Sequence, residues 1–178
     1  TPTYDTLDVD DSNFRLEAWV KYQGGNWADG SEFMIFDHEQ RYRVSIVAGG
    51  TASDPQMVLN VLLFDSNHNP NFYNALYPDS SAEINEWHHI AVEFYYGTLT
   101  VYVDGEFSTS WTTPTESISS SNITGNVWIG YAAWGDLSFY GKIDEVRISP
   151  AVPGTPPCGF WGYSPGDVNE DCYVNIED

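Results

Sequence analysis

The chain has 178 residues, 16% of them aromatic and only 18% charged, and its 26 acids against six bases give a formal net charge of −20. Such a surface repels nucleic acid and anionic membranes, which are bound through Lys and Arg, and it attracts divalent cations. No apolar run approaches the ~18 residues a membrane-spanning helix needs, and the length suits one ordinary domain with a tail.

The stretch NFRLEAWVKY (13–22) alternates strictly, with Phe14, Leu16, Ala18 and Val20 on one face and Arg15, Glu17, Trp19 and Lys21 on the other, which predicts a half-buried strand. Short apolar runs follow at 33–37, 41–49, 57–64, 88–96, 99–105, 126–131 and 139–149. GGNWADG, DSNHNPN and YPDSSAEIN separate them and are rich in turn formers. The Ser/Thr-rich stretch 108–124 predicts an exposed loop, and it ends in the N-glycan sequon Asn122-Ile123-Thr124. No helical period of useful length is present. The pattern predicts an all-β fold, a two-sheet antiparallel sandwich or jelly roll over 1–149.

Residues 150–166 are dense in Pro and Gly and read as a stiff linker, which leaves 167–178 as an irregular tail. Cys158 and Cys172, the two cysteines of the chain, both lie in or beside it. Their even number, with an acidic, aromatic-rich chain that begins at Thr1, predicts an exported protein with one disulfide. The expected location is extracellular or at the cell surface.

Several segments together resemble the laminin G-like, concanavalin A-like jelly roll domains. FRLEAWVK matches the opening strand of that family. Trp87, His88 and Ala91, the hairpin Tyr102 to Gly105, Ile129-Gly130, and Gly141 to Ile148 then stand in the family's order. His88 and His89 are expected to hydrogen-bond and pack within a central strand. Gly130 and Gly141 are expected to mark close backbone approach or bulges.

The tail resembles one dockerin repeat, a calcium loop of bacterial extracellular proteins. Asp167, Asn169, Asp171, Tyr173 and Asp178 fall at loop positions 1, 3, 5, 7 and 12. Calcium takes six to eight hard oxygens, so carboxylates, an amide and the Tyr173 carbonyl suit it. Cys172 occupies position 6, where a left-handed backbone favours Gly and another residue costs roughly 1–2 kcal/mol. A Cys158–Cys172 disulfide, worth on the order of 3 kcal/mol, would offset that strain. Dockerins use two such repeats with helices, so a single loop implies completion by a partner surface. The resemblance to related jelly rolls implies a second calcium at Asp144, with Asp8, Asp10 and Asp11 in the candidate partner segment.

No enzyme is expected. The Glu-hydrophobic-Asp-x-x-Glu motif of laminarinase-type relatives is absent, Asp144 and Glu145 are adjacent and so point to opposite faces, and Asp37 and Glu39 read as solvated acids. The leading expectation is a non-catalytic, calcium-binding structural, assembly or adhesion module. It would join neighbouring copies of itself, or another extracellular protein, in a calcium-bridged filament or surface layer. The alternative is a carbohydrate-binding, lectin-like module of a larger secreted protein, with Trp27, Trp134 and Tyr73 as loop aromatics that stack on glycan rings.

Overall fold

The computed structural model describes residues 11–23, 31–38, 40–51, 54–76, 85–119, 126–132 and 137–151. Asp167, Asn169, Asp171, Tyr173, Asp178, Cys158, Cys172, Trp27, Trp134 and the Asn122 sequon lie outside them.

The described residues form strands and no helix: β1 (Asn13–Tyr22), β2 (Glu32–His38), β3 (Tyr42–Thr51), β4 (Asp54–Phe64), β5 (Pro70–Leu76), β6 (His88–Tyr95), β7 (Thr98–Val103), β8 (Glu106–Thr112), β9 (Val127–Ile129), β10 (Tyr131–Ala132), β11 (Leu137–Ser138) and β12 (Gly141–Ser149). They build two five-stranded antiparallel sheets in the orders β12-β1-β6-β7-β8 and β5-β4-β3-β2-β9, beside a β10-β11 ribbon. The predicted all-β sandwich is therefore the observed fold.

The core lies between the sheets. Phe14, Leu16, Ala18 and Val20 of β1, all buried as their alternation predicted, share one cluster with Tyr42, Val44 and Ile46 of β3 and Leu59 and Val61 of β4. Ring pairs bridge the layers, with Phe14 to Tyr42 at 5.5 Å and Tyr22 to Phe33 at 4.7 Å between centroids.

Two segments differ from expectation. Residues 70–76, which begin inside the turn-forming run DSNHNPN, form β5, and 108–112, the start of the Ser/Thr-rich stretch, belongs to β8 rather than to a loop. Both are edge strands, where one ladder is enough to hold a polar segment. In β8 the core contact comes from Trp111, which packs against the cluster.

Local devices fix the ends of the strands. The β7–β8 hairpin turns through Asp104 (φ 51°) and Gly105 (φ 82°), and Asp104 locks it by accepting the His89 N–H at 2.8 Å and standing 2.8 Å from His88 Nδ1. Gly130 has φ 72°. A Cβ on Gly141 would stand 2.0 Å from the Lys21 carbonyl oxygen, the close backbone approach expected there, whereas Gly130 is instead required by its positive φ, with only side-chain atoms near it. In β12, register advances three residues against two of β1 between Glu17 and Trp19, a bulge that carries Glu145 at φ 49°.

Candidate functional site: the outer sheet faces

Strand register assembles a row on the outer face of the second sheet. Phe72 faces Leu62, Leu62 faces Arg43, Arg43 faces Asp37, and Asp37 faces Trp128. Their chain neighbours Tyr42, Val44, Leu63 and Phe36 belong to the core, so alternation turns this row outward. Phe72 (64% exposed) and Trp128 (36%) stand at its ends, whereas Leu62 and Asp37 are buried within it. Arg43 Nε donates to Asp37 Oδ1 at 3.1 Å. Asp37 is thus a buried, paired carboxylate and not the solvated acid expected.

The adjacent row places Asn74 opposite Asn60 and Asn60 opposite Ser45. Asn60 Nδ2 donates to Asn74 Oδ1 at 2.7 Å, and Ser45 Oγ to Glu32 Oε1 at 2.6 Å. Exposed rings thus stand at both ends of the row with the exposed Asn60–Asn74 amides beside it, while the side chains directly between the rings are buried or nearly so.

The outer face of the first sheet carries a second polar cluster. Arg15, Glu17, Glu93, His89 and Tyr102 are all buried although they face away from the core. Arg15 donates to Glu93 Oε2 from Nε at 3.0 Å and from a terminal nitrogen at 2.5 Å. Burial raises the Glu93 carboxyl above its usual range, and Arg15 counteracts this. Burial likewise raises Glu17, against the opposing charges of Arg15 and Arg147. With Glu93 held twice by one guanidinium, the cluster satisfies its own charges.

His89 is the exception. Its ring lies 5.3 Å from that of Trp19, its Nε2 is 3.9 Å from Glu17 Oε1, and its buried Nδ1 has no hydrogen-bond partner. Burial pushes its pKa down to about 4, with the Asp104 charge acting the other way and Arg147 and Arg15 adding to the fall.

A pH dependence follows. The unfolded chain takes up this proton near the ordinary 6.5 and the folded chain only near 4. Between those values the unfolded state binds more protons, so stability rises with pH and is lost on acidification. The loss from this group is on the order of 3 kcal/mol. The raised carboxyls of Glu17 and Glu93 act oppositely, favouring the fold as they protonate. Urea unfolding of wild type and His89→Gln across pH 4 to 7 isolates the histidine: the wild type should show the steeper acid loss. Equal slopes would mean that the ring is solvated.

The structure places two of the sequence-predicted site residues. Tyr73 is in β5, not in a loop; its half-buried ring packs inward on the core, 5.5 Å from Trp111, and burial raises its hydroxyl pKa. Its chain neighbours Phe72 and Asn74 face out instead, and sequence reasoning missed both. Asp144 is exposed on β12, faces Trp19 and accepts the Glu145 N–H at 2.9 Å. Among the described residues no group of three His, Cys, Asp or Glu side chains is arranged to hold a metal ion. Asp11, one suggested partner of Asp144, is ion-paired with Arg41.

Residues 2–153 match the laminin G-like family described as the concanavalin A-like lectin/glucanases superfamily. The chain belongs to that family. No curated protein matches. Among solved structures, a candidate carbohydrate binding protein from Bacteroides ovatus is 23% identical, with a TM-score of 0.58, over 80% of this chain and 38% of its own. Domain 4 of AbnA, an extracellular arabinanase from Geobacillus stearothermophilus solved with arabinotriose, is 21% identical, with a TM-score of 0.53, over 82% of this chain and 65% of its own. A heptameric pentraxin from Limulus polyphemus is 14% identical, with a TM-score of 0.53, over 77% and 63%. This chain thus spans less than two thirds of each, and at these identities they are similar in fold.

Proposed function

We propose that the chain is a non-catalytic carbohydrate-binding module of a secreted or cell-surface protein, with its ligand on the outer face of the second sheet. The observation that carries this reading is the pair of exposed rings, Phe72 and Trp128, on one sheet face with the exposed Asn60–Asn74 amides. Aromatic rings bury the C–H faces of sugars, while the exposed Asn60–Asn74 amides exchange hydrogen bonds with hydroxyls. Family membership and the sugar-linked names of two structural neighbours support the same reading.

A glycan array followed by titration calorimetry tests the proposal. Wild-type protein should retain a defined set of glycans, and Phe72→Ala or Trp128→Ala should each weaken binding about tenfold while leaving the fold intact. An array without any hit, or full affinity in both variants, would overturn it.

Calcium binding at Asp167, Asn169, Asp171, Tyr173 and Asp178, with assembly across that ion, is a separate proposal supported by ligand spacing. Sedimentation velocity in calcium and in EGTA decides it: assemblies should dissociate on chelation, and a monomer in both would dismiss it.

A further inference from the structure

We infer that the chain carries a second ligand surface, on the outer face of the first sheet along β7 and β8, and that it takes an uncharged oligosaccharide laid parallel to those strands. This adds a site to the carbohydrate reading and stands on different residues.

The surface follows from parity and register. Leu99, Val101 and Val103 belong to the core, so alternation turns Thr98, Thr100 and Tyr102 outward. Register sets Thr112 beside Thr98, Ser110 beside Thr100 and Phe107 beside Tyr102, with Tyr95 on the other side of Thr98. Unlike the row between Phe72 and Trp128, this strip is accessible: Thr98, Ser110 and Thr112 are exposed and Thr100 is half-exposed. The hydroxyls of these four residues have no hydrogen-bond partner among the described residues. Neighbours stand about 5 Å apart across the strands and about 7 Å apart along them.

Rings stand at the two ends of the strip. Tyr95 (36% exposed) and Tyr96 (55%) meet edge to face, 4.8 Å between centroids and at 84°. About 14 Å further along β7, Phe107 (63% exposed) rests against Tyr102 at 6.3 Å. The Tyr95–Tyr96 corner is held under strain. The β6–β7 turn passes through Tyr96 at φ 40° and Gly97 at φ 82°. A two-residue hairpin turn of this kind favours Asn or Gly at its first place, and a bulky residue at positive φ is an outlier. Such strain gathers where a ligand is gripped; here it presents a ring to solvent and adds nothing to the core.

The ligand class follows from charge and side-chain type. Residues 94–103 and 107–115 contain no charged side chain, in a chain with 26 acids. The acids at the border are Glu93, held by Arg15, Asp104, held against His88, and Glu106 at the Phe107 end. An anionic sugar, or a second copy of a chain of formal charge −20, is therefore repelled. Rings and unengaged hydroxyls together match a ligand with apolar C–H faces and hydroxyls of its own.

The test is titration calorimetry of wild type and of a Phe72→Ala/Trp128→Ala double variant with neutral arabino-, xylo- and gluco-oligosaccharides, from tetrasaccharide to hexasaccharide. Within the series that wild type binds, the double variant should retain a site. Adding Tyr96→Asn or Phe107→Ala to it should each weaken that site about tenfold. Tyr96→Asn should at the same time raise the urea midpoint, because Asn accepts the left-handed turn. A lower midpoint would make Tyr96 a packing residue and overturn the inference, as would retained binding that ignores both substitutions. Loss of all binding in the double variant would dismiss this surface and leave the second-sheet reading standing. Full wild-type affinity in the double variant, lost on adding Tyr96→Asn, would retire the second-sheet site and keep this one. Sedimentation equilibrium run alongside should show a monomer; a dimer broken by Phe107→Ala would mean that a second copy covers the strip. Failure of every sugar would remove both readings.

Discussion

Replacing Glu93 with Leu should lower the unfolding free energy by about 3–5 kcal/mol, because it removes the carboxylate that receives two hydrogen bonds from the buried Arg15 guanidinium. Arg15 and Glu93 have side-chain exposures of 10% and 5%, and both Arg15 contacts run to one carboxylate oxygen. Restoring charge balance by adding Arg15→Met should recover most of the loss, since exchanging a whole buried pair for apolar residues is often close to neutral. Urea denaturation of wild type, both single variants and the double variant gives the cycle. A single-variant cost below about 1 kcal/mol would mean that water reaches the pair, as at an ordinary surface ion pair.

Gly141→Ala should be nearly as damaging. The new methyl carbon would stand 2.0 Å from the Lys21 carbonyl oxygen and 2.9 Å from Phe139 Cε1. The first of these is backbone of β1, directly beside the Tyr22–Gly141 pair of the β1–β12 ladder, so no rotamer change relieves it. Overpacking typically costs 1–3 kcal/mol, and a rigid backbone obstacle places this case at about 3 kcal/mol. Gly130→Ala is the informative control. There the nearest atom is the tip of Ile143 at 3.4 Å and the difficulty is φ of 72°, a conformational penalty of roughly 1–2 kcal/mol. If the two variants unfold at the same urea concentration, the close approach of β12 to β1 is looser than the geometry here.

The fold was legible because burial writes a strong parity into β1. Phe14, Leu16, Ala18 and Val20 are the buried face, and the alternation names them without help. Parity also explains where the sequence misled. Tyr73 was singled out as a stacking aromatic, but in β5 it shares the inward face, and the exposed ring is its neighbour Phe72. Once Pro70–Leu76 is recognised as a strand the choice between them is forced; read as part of a turn-rich region, it was open. Trp128 could not be distinguished from any other aromatic of a short apolar run. The row itself joins residues of β5, β4, β3, β2 and β9, and register between strands is set by tertiary pairing, which no local window contains. The buried polar cluster of β1 and β6 was hidden for the same reason. Arg15 and Glu17 occupy the polar half of the alternation, and only their cross-strand neighbours Glu93 and Ala91 make them an interior network.

The pairing of β1 with β12 has a mechanical consequence. The two strands are antiparallel, Arg15 lies opposite Ser149, and the Ala151 N–H donates to Asn13 Oδ1 at 2.6 Å, so the start of the first strand and the end of the last sit side by side. A pull that separates residues 13 and 151 acts along the interstrand hydrogen bonds, perpendicular to the strands. The ladder then opens one pair at a time from that corner, as a zipper does, instead of resisting as a block in shear. Under tension applied at those two points, the hydrogen bonds are loaded in turn and not all at once.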